Sequence, residues 1–161
     1  MRSIKNIALA LCVALASMTA YAQVNADLSE YTAEIEAART IMLTERKILI
    51  MREMSVTAEE AAAFWPLYDN YVNERRALGD LRVKIITDYA ANYESMTNEL
   101  ARQLGDDSLK YETKALKLKK SYLKKFRRIL PEIKVIRYFQ LENKLDAIID
   151  FDLATQIPLM E

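Results

Sequence analysis

The side chains with the most distinctive chemistry form an aromatic cluster just after a strong helix start signal. Thr57 and Glu60 have the spacing of a capping box, in which the hydroxyl accepts the Glu60 N–H and the carboxylate reaches back. The aromatic residues that follow offer large contact areas with polar handles, which suits the binding of partly unfolded polypeptide. They are Phe64, Trp65, Tyr68 and Tyr71. The alternative is that the same rings pack in a helical core.

A second candidate site is a basic stretch in the last third of the chain. Eleven basic and two acidic residues lie between Lys110 and Arg137, although the formal net charge of the whole chain is zero. In a helix, one side of this stretch carries Lys110, Lys114, Lys117 and Lys124. That side is either an exposed surface for an anionic partner, a membrane surface included, or a face neutralised by acidic helices of the same chain.

The composition argues against catalysis. The chain has no histidine, which is the commonest general base and the commonest transition-metal ligand in proteins. Its one cysteine, Cys12, lies in the N-terminal segment, and no glycine-rich phosphate loop is present. We therefore expect a non-enzymatic protein without a metal site or a cofactor.

The N-terminal segment, residues 1–22, has the three parts of a secretory signal peptide. Arg2 and Lys5 supply the positive charge, an apolar run covers residues 7–16, and Ala20–Ala22 gives a small-x-small cleavage site. Cleavage after Ala22 would place the protein in the periplasm. Leu11 precedes Cys12 where a lipoprotein signal needs a small residue, so lipid attachment is disfavoured. Export also disfavours a nucleic-acid partner.

The scarcity of chain-breaking residues predicts the fold class. Two glycines and three prolines leave little room for β-hairpin turns, which depend on glycine. We expect an all-α protein, with long antiparallel helices that form a helical hairpin or bundle. Residues 23–153 are predicted to be one helical domain, followed by a tail of residues 154–161.

Five helices are predicted from start signals and breakers. They run from about Leu28 to Met54, from Thr57 to about Tyr93, from Thr97 to near Gly105, from Asp106 or Asp107 through the basic stretch, and from Pro131 onward. Two series of seven-residue spacing predict buried seams. The first is Leu28, Ile35, Met42 and Leu49, with Tyr31 and Ala38 between them; the second is Leu109, Leu116, Leu123 and Leu130.

Two arginines interrupt the apolar seam of the second predicted helix. Arg75 and Arg82 are seven residues apart on the face of Tyr68 and Tyr71. Burying unpaired guanidinium groups costs several kcal/mol each, so we expect this seam to be only partly closed, at a dimer interface or an open groove. Carboxylates such as Asp88 or Asp146 are expected nearby.

Two segments resemble the motifs of a known family. Val56-Thr57-Ala58-Glu59-Glu60 resembles the Leu-Thr-x-x-Gln motif of the Spy/CpxP family of periplasmic stress proteins, and residues 129–134 resemble a degenerate second copy. The resemblance covers roughly Val56 to Phe139. It implies a helical hairpin that dimerises into a curved cradle. It also implies an ATP-independent chaperone, an inhibitor of a stress-sensor kinase or a metal-responsive sensor, although the metal branch typically uses histidines.

The sequence and the resemblance together favour a chaperone or envelope-stress modulator. It would hold exposed segments of unfolded or partly folded envelope proteins against a mixed apolar and basic surface, as a homodimer. The candidate contacts are the four aromatic residues, the two seam arginines and the four lysines named above. Two alternatives remain open: a regulatory partner of one sensor domain, and a peripheral membrane protein that uses the basic helix.

Overall fold

A computed structural model describes residues 27–160, with side chains from residue 35 onward. The predicted signal peptide lies outside this range, as do the side chains of Leu28 and Tyr31. Four α-helices account for most of the described chain: α1 (Asp27–Met54), α2 (Ala58–Ala91), α3 (Asn98–Phe126) and α4 (Glu132–Ala154). A short 3-10 turn, Tyr93–Ser95, lies between α2 and α3. The predicted all-α fold class is confirmed.

The helix boundaries follow from local hydrogen bonds. Thr57 is the N-cap of α2, and its side chain accepts from the Glu60 N–H at 3.3 Å while the Glu60 carboxylate accepts from the Thr57 N–H at 2.8 Å. Thr97 caps α3 by accepting from the Leu100 N–H at 3.2 Å. The Pro131 carbonyl accepts from the Val135 N–H at 3.1 Å, so proline precedes α4 where it gives up no helical donor.

The predicted break near Gly105 is wrong. Helix α3 continues through this residue, whose φ is not positive, and joins the short helix and the basic helix that the sequence predicted as separate. A glycine inside a helix costs only about 1 kcal/mol relative to alanine. Burial of Leu104 before the glycine and of Tyr122 and Phe126 after it favours one long helix.

The contacts divide the chain into two compact units. The hairpin unit covers Val56–Ile136, and the ion-pair unit combines the described residues up to Ser55 with residues 137–160. Helix α4 therefore contributes its first turn to one unit and the remainder to the other. At the end of α1, Ser55 adopts a φ of 45°, the left-handed conformation that commonly follows a helix C-terminus.

Helices α2 and α3 pack antiparallel in the hairpin unit. The rings of Phe64 and Phe126 lie 5.5 Å apart, and those of Tyr71 and Tyr122 lie 4.9 Å apart. Residue numbers thus rise along α2 as they fall along α3. This geometry is the predicted antiparallel hairpin, and its core is aromatic.

Helix α1 and the later part of α4 also pack antiparallel, in the ion-pair unit. Arg137 Nε donates to the Glu53 carbonyl at 2.6 Å, and Arg46 pairs with Glu142. The seven-residue seam predicted for α1 is partly wrong, because Met42 and Leu49 are only half-buried. The described side chains of α1 that are buried are Ile35, Ala38, Arg39, Arg46, Ile50 and Met54.

Candidate functional site

Three of the four predicted aromatic contacts form the core of the hairpin unit. Phe64, Tyr68 and Tyr71 are buried on α2, and only Trp65 is half-exposed. Phe64 contacts Phe126, and Trp65 meets Phe64 edge-on with ring centroids 4.9 Å apart. The buried rings stabilise the helix pair and, in this structure, offer no surface to a bound polypeptide. These three residues therefore fit the alternative interpretation, in which the rings pack in a helical core.

The two seam arginines are half-buried on α2. The Arg82 guanidinium lies over the Tyr111 ring, 5.9 Å from its centroid, so the cation meets an aromatic face of α3. Of the carboxylates expected nearby, Asp88 is bound by Lys84, and Asp146 is bound by Arg46 at 2.9 Å. The partial exposure of Arg75 and Arg82 agrees with a seam that is only partly closed.

The predicted lysines lie on an exposed side of α3. Lys110, Lys114, Lys117 and Lys124 are all exposed. Lys110 lies 3.9 Å from Asp107, a loose and solvent-accessible pairing. Within residues 35–160, no carboxylate lies within ion-pair distance of the other three. Of the two alternatives that the sequence left open, the structure therefore shows an exposed basic surface.

Two leucines of the predicted α3 seam are exposed beside these lysines. Leu109 retains 64% of its accessible surface and Leu116 retains 52%, so the predicted burial of both is wrong. A helix packed against one partner buries a single face, and on α3 that face carries Leu104, Tyr122 and Phe126. The opposite side is a mixed surface, called here the Leu–Lys face. It comprises Leu109, Lys110, Lys114, Leu116, Lys117 and Lys124.

The two segments that resemble family motifs are joined by an ion pair. The Glu60 carboxylate accepts from Lys134 Nζ at 2.5 Å and from the Thr57 N–H. The hydrogen bond from Lys134, followed by the one from the Thr57 backbone, lowers the pKa of Glu60. The Glu60 carboxylate therefore both caps α2 and binds a lysine in the first turn of α4. This pairing was not predicted from the sequence, since the two residues are 74 positions apart.

A buried ion network holds the ion-pair unit together. Arg46 is 5% exposed and Glu142 is fully buried, and the guanidinium donates to this carboxylate at 2.6 Å and 3.0 Å and to Asp146 at 2.9 Å. Burial alone would lower the pKa of Arg46, but the charges and hydrogen bonds of Glu142 and Asp146 outweigh it and raise the pKa. This network was not predicted from the sequence. Its signal was the four-residue spacing of Glu142 and Asp146, which places both carboxylates on one side of α4.

One buried hydroxyl links the two helices of the hairpin unit. Tyr122 Oη donates to the Glu74 carboxylate at 2.5 Å. Burial, together with this hydrogen bond, raises the pKa of Tyr122 to about 12. The contact fixes the register of α3 against α2 but brings no group with nucleophilic or metal-binding character to the surface.

Among residues 35–160, no group of three or more acidic, histidine or cysteine side chains is placed to hold a metal ion. None of the helices within residues 27–160 is long and apolar enough to cross a membrane. No family model, curated protein or solved structure matches the chain.

Proposed function

We propose that this protein is a non-enzymatic periplasmic binding protein, an ATP-independent chaperone or envelope-stress modulator that holds exposed segments of other polypeptides. The observation that carries the proposal is the Leu–Lys face of α3. Leu109 and Leu116, each more than half exposed, lie among four exposed lysines on one helix surface. Such a surface combines apolar contact with attraction for acidic chain segments, which are the two interactions that a partly unfolded client offers.

The resemblance to the Spy/CpxP family supports the class of function, and the predicted signal peptide supports the periplasmic location. The candidate contacts are revised in one respect. Phe64, Tyr68 and Tyr71 are replaced by Leu109 and Leu116, because the rings are buried and the leucines are not. The other candidates are retained: Trp65, which is half-exposed, the half-buried Arg75 and Arg82, and the four lysines.

An aggregation assay tests the proposal. The purified protein is added without ATP to a client that is unfolding under mild heat or reduction, and light scattering is followed. We expect scattering to be suppressed near equimolar protein and the effect to weaken with added salt, because screening reduces the lysine contribution. No suppression at several-fold molar excess would contradict the chaperone function.

A pull-down from envelope extract separates the chaperone from the regulator. Many partners bound in substoichiometric amounts favour a chaperone, whereas one stoichiometric partner favours a modulator of a single sensor. The variant Leu109→Gln/Leu116→Gln is the matched control, because both side chains are exposed and the substitution leaves the aromatic core intact.

A further inference from the structure

The Leu–Lys face repeats a two-residue unit every seven residues. Leucine followed by lysine occurs at 109–110, 116–117 and 123–124, all inside α3. The lysines of the three units are exposed, the first two leucines are exposed, and Leu123 is half-buried. A seven-residue period keeps side chains on one side of a helix, with successive leucines about 10.5 Å apart along the axis.

The residues between the leucines complete a coiled-coil register. Thr113 and Lys120 lie four residues after Leu109 and Leu116, and both are exposed. This alternation of four-residue and three-residue steps is the spacing of the two contact positions in a helix that packs along another helix. The lysine after each leucine then flanks the contact positions. A side chain there faces a charged residue of the partner helix.

The charge around this register points to an acidic partner. Lys110, Lys117 and Lys124 hold the flanking positions after the leucines, Lys120 adds a positive charge at a contact position, and Glu112 is the one acidic residue between Leu109 and Lys124. Flanking charges of one sign favour a partner helix that carries the opposite sign.

The shape of the apolar strip favours a helix over a lipid surface. A helix that lies in a membrane interface presents a wide apolar side, commonly with aromatic residues. On α3 the aromatic side, with Tyr122 and Phe126, is buried against α2. What remains outside is a narrow strip of leucines interrupted by a threonine and a lysine.

We infer that the Leu–Lys face binds amphipathic helical segments whose apolar seam has heptad spacing and whose flanks are acidic. The inference rests on the proposed function and specifies its class of client segment. It predicts that α3 discriminates among clients by helical periodicity and by the sign of their flanking charges.

The test uses three labelled peptides of about 21 residues, or three heptads. One has leucine at the seam positions and glutamate at the flanks, the second replaces the glutamates with lysines, and the third scrambles the first. Fluorescence anisotropy with the full protein should show binding of the acidic heptad peptide at least about tenfold tighter than of the other two. Equal binding of all three would overturn the inference.

Matched double variants locate the site. Lys117→Glu/Lys124→Glu should weaken binding of the acidic peptide about tenfold, while the same charge change at Lys84 and Lys144 should leave it within about twofold. Leu109→Gln/Leu116→Gln should also weaken binding, whereas Ile41→Gln/Ile48→Gln, an equally spaced exposed pair on α1, should not. Circular dichroism checks that every variant is folded. Equal effects of the test and control variants would place binding elsewhere and overturn the inference.

Two further measurements separate the possible failures. Flotation with vesicles of about 30% phosphatidylserine in phosphatidylcholine asks whether the face binds lipid. Vesicle binding lost in the lysine variant, with no binding of the acidic peptide, would overturn the inference in favour of a membrane surface. Suppression of client aggregation without any preference for the acidic helix would overturn this inference and leave the proposed function standing. If the protein neither suppresses client aggregation nor prefers the acidic helix, the proposed function is contradicted as well.

Discussion

The two units of the chain hold their antiparallel helices together with different interactions, aromatic packing in one and a buried ion pair in the other. In the hairpin unit the contact between α2 and α3 is made by rings, among them Phe64, Tyr71 and Phe126. In the ion-pair unit the closest contacts between α1 and α4 include the buried salt bridge of Arg46 and Glu142. Ring packing gains free energy from area and tolerates small changes of angle. A buried ion pair gains little net free energy but penalises any arrangement that separates the charges.

The difference teaches that apolar periodicity describes one helix, α2, better than the others. On α2, Phe64, Tyr68 and Tyr71 are buried, as their spacing indicates, whereas Leu109 and Leu116 of the α3 series are exposed. In the ion-pair unit two arginines and a glutamate occupy buried positions that a search for apolar residues passes over. Because the network joins residues about a hundred positions apart, it also fixes which turn of α1 faces which turn of α4.

The largest expected effect comes from breaking the ion network on one side. Arg46→Met removes the buried guanidinium that binds Glu142 and Asp146, and we expect the free energy of unfolding to fall by about 3–5 kcal/mol. Urea denaturation measures the loss. The double variant Arg46→Met/Glu142→Leu should recover most of it, because the remaining carboxylate of Asp146 is partly exposed. A single variant as stable as the wild type would show that the ion pair is absent from the folded protein in solution.

A smaller effect is expected from the hydroxyl in the hairpin unit. Tyr122→Phe removes the hydrogen bond to Glu74 while keeping the ring, and it should cost about 1–2 kcal/mol near neutral pH. The folded-state pKa of about 12 lies above the ordinary value of 10, so the folded state binds the phenolic proton more tightly. The stabilisation is therefore fully present below pH 10 and is lost as the pH rises toward 12.

Denaturation at several alkaline pH values tests this assignment. The difference in unfolding free energy between wild type and Tyr122→Phe should shrink between pH 10 and about 12. Parallel curves for the two proteins would contradict a role for Tyr122 in that titration.

The smallest expected effect is at the cap of α2. Thr57→Ala removes the acceptor for the Glu60 N–H and should cost about 1 kcal/mol. Thr97→Ala is the matched control, since Thr97 caps α3 with a single hydrogen bond. A cost near zero at Thr57, with the usual cost at Thr97, would mean that the Thr57 hydroxyl does not cap α2 in solution. Thermal unfolding of both variants under the same conditions makes the comparison.

Local features of the fold were predictable from the sequence, whereas the identity of the packed faces was not. The cap at Thr57, the end of α1 at Met54 and the role of Pro131 depend on neighbours in the chain, and the structure agrees with them. The basic helix carries both a leucine series and an aromatic series. Which of the two series is buried depends on the side chains of α2 that it contacts. Phe64 packs against Phe126 and Tyr71 packs against Tyr122, so the aromatic series is buried.

The candidate site was predicted in the same uneven way. The exposure of the lysines follows from the cost of burying charge, so their place on the surface could be expected from residue type alone. The leucines beside them could not be assigned to the surface in advance, because an exposed leucine is identified only when the partner of the opposite face is known. The aromatic residues were singled out as contacts for the same reason that they form a good core.

The single tryptophan of the chain gives the hairpin unit an intrinsic optical probe. Trp65 packs edge-on against Phe64 and Tyr68, and the sequence has no second indole to obscure it. Its emission should shift to longer wavelength when α2 separates from α3, whereas ellipticity at 222 nm follows every helix of the protein. A mismatch between the two melting curves would therefore reveal that the units unfold at different temperatures, without any label or added reporter.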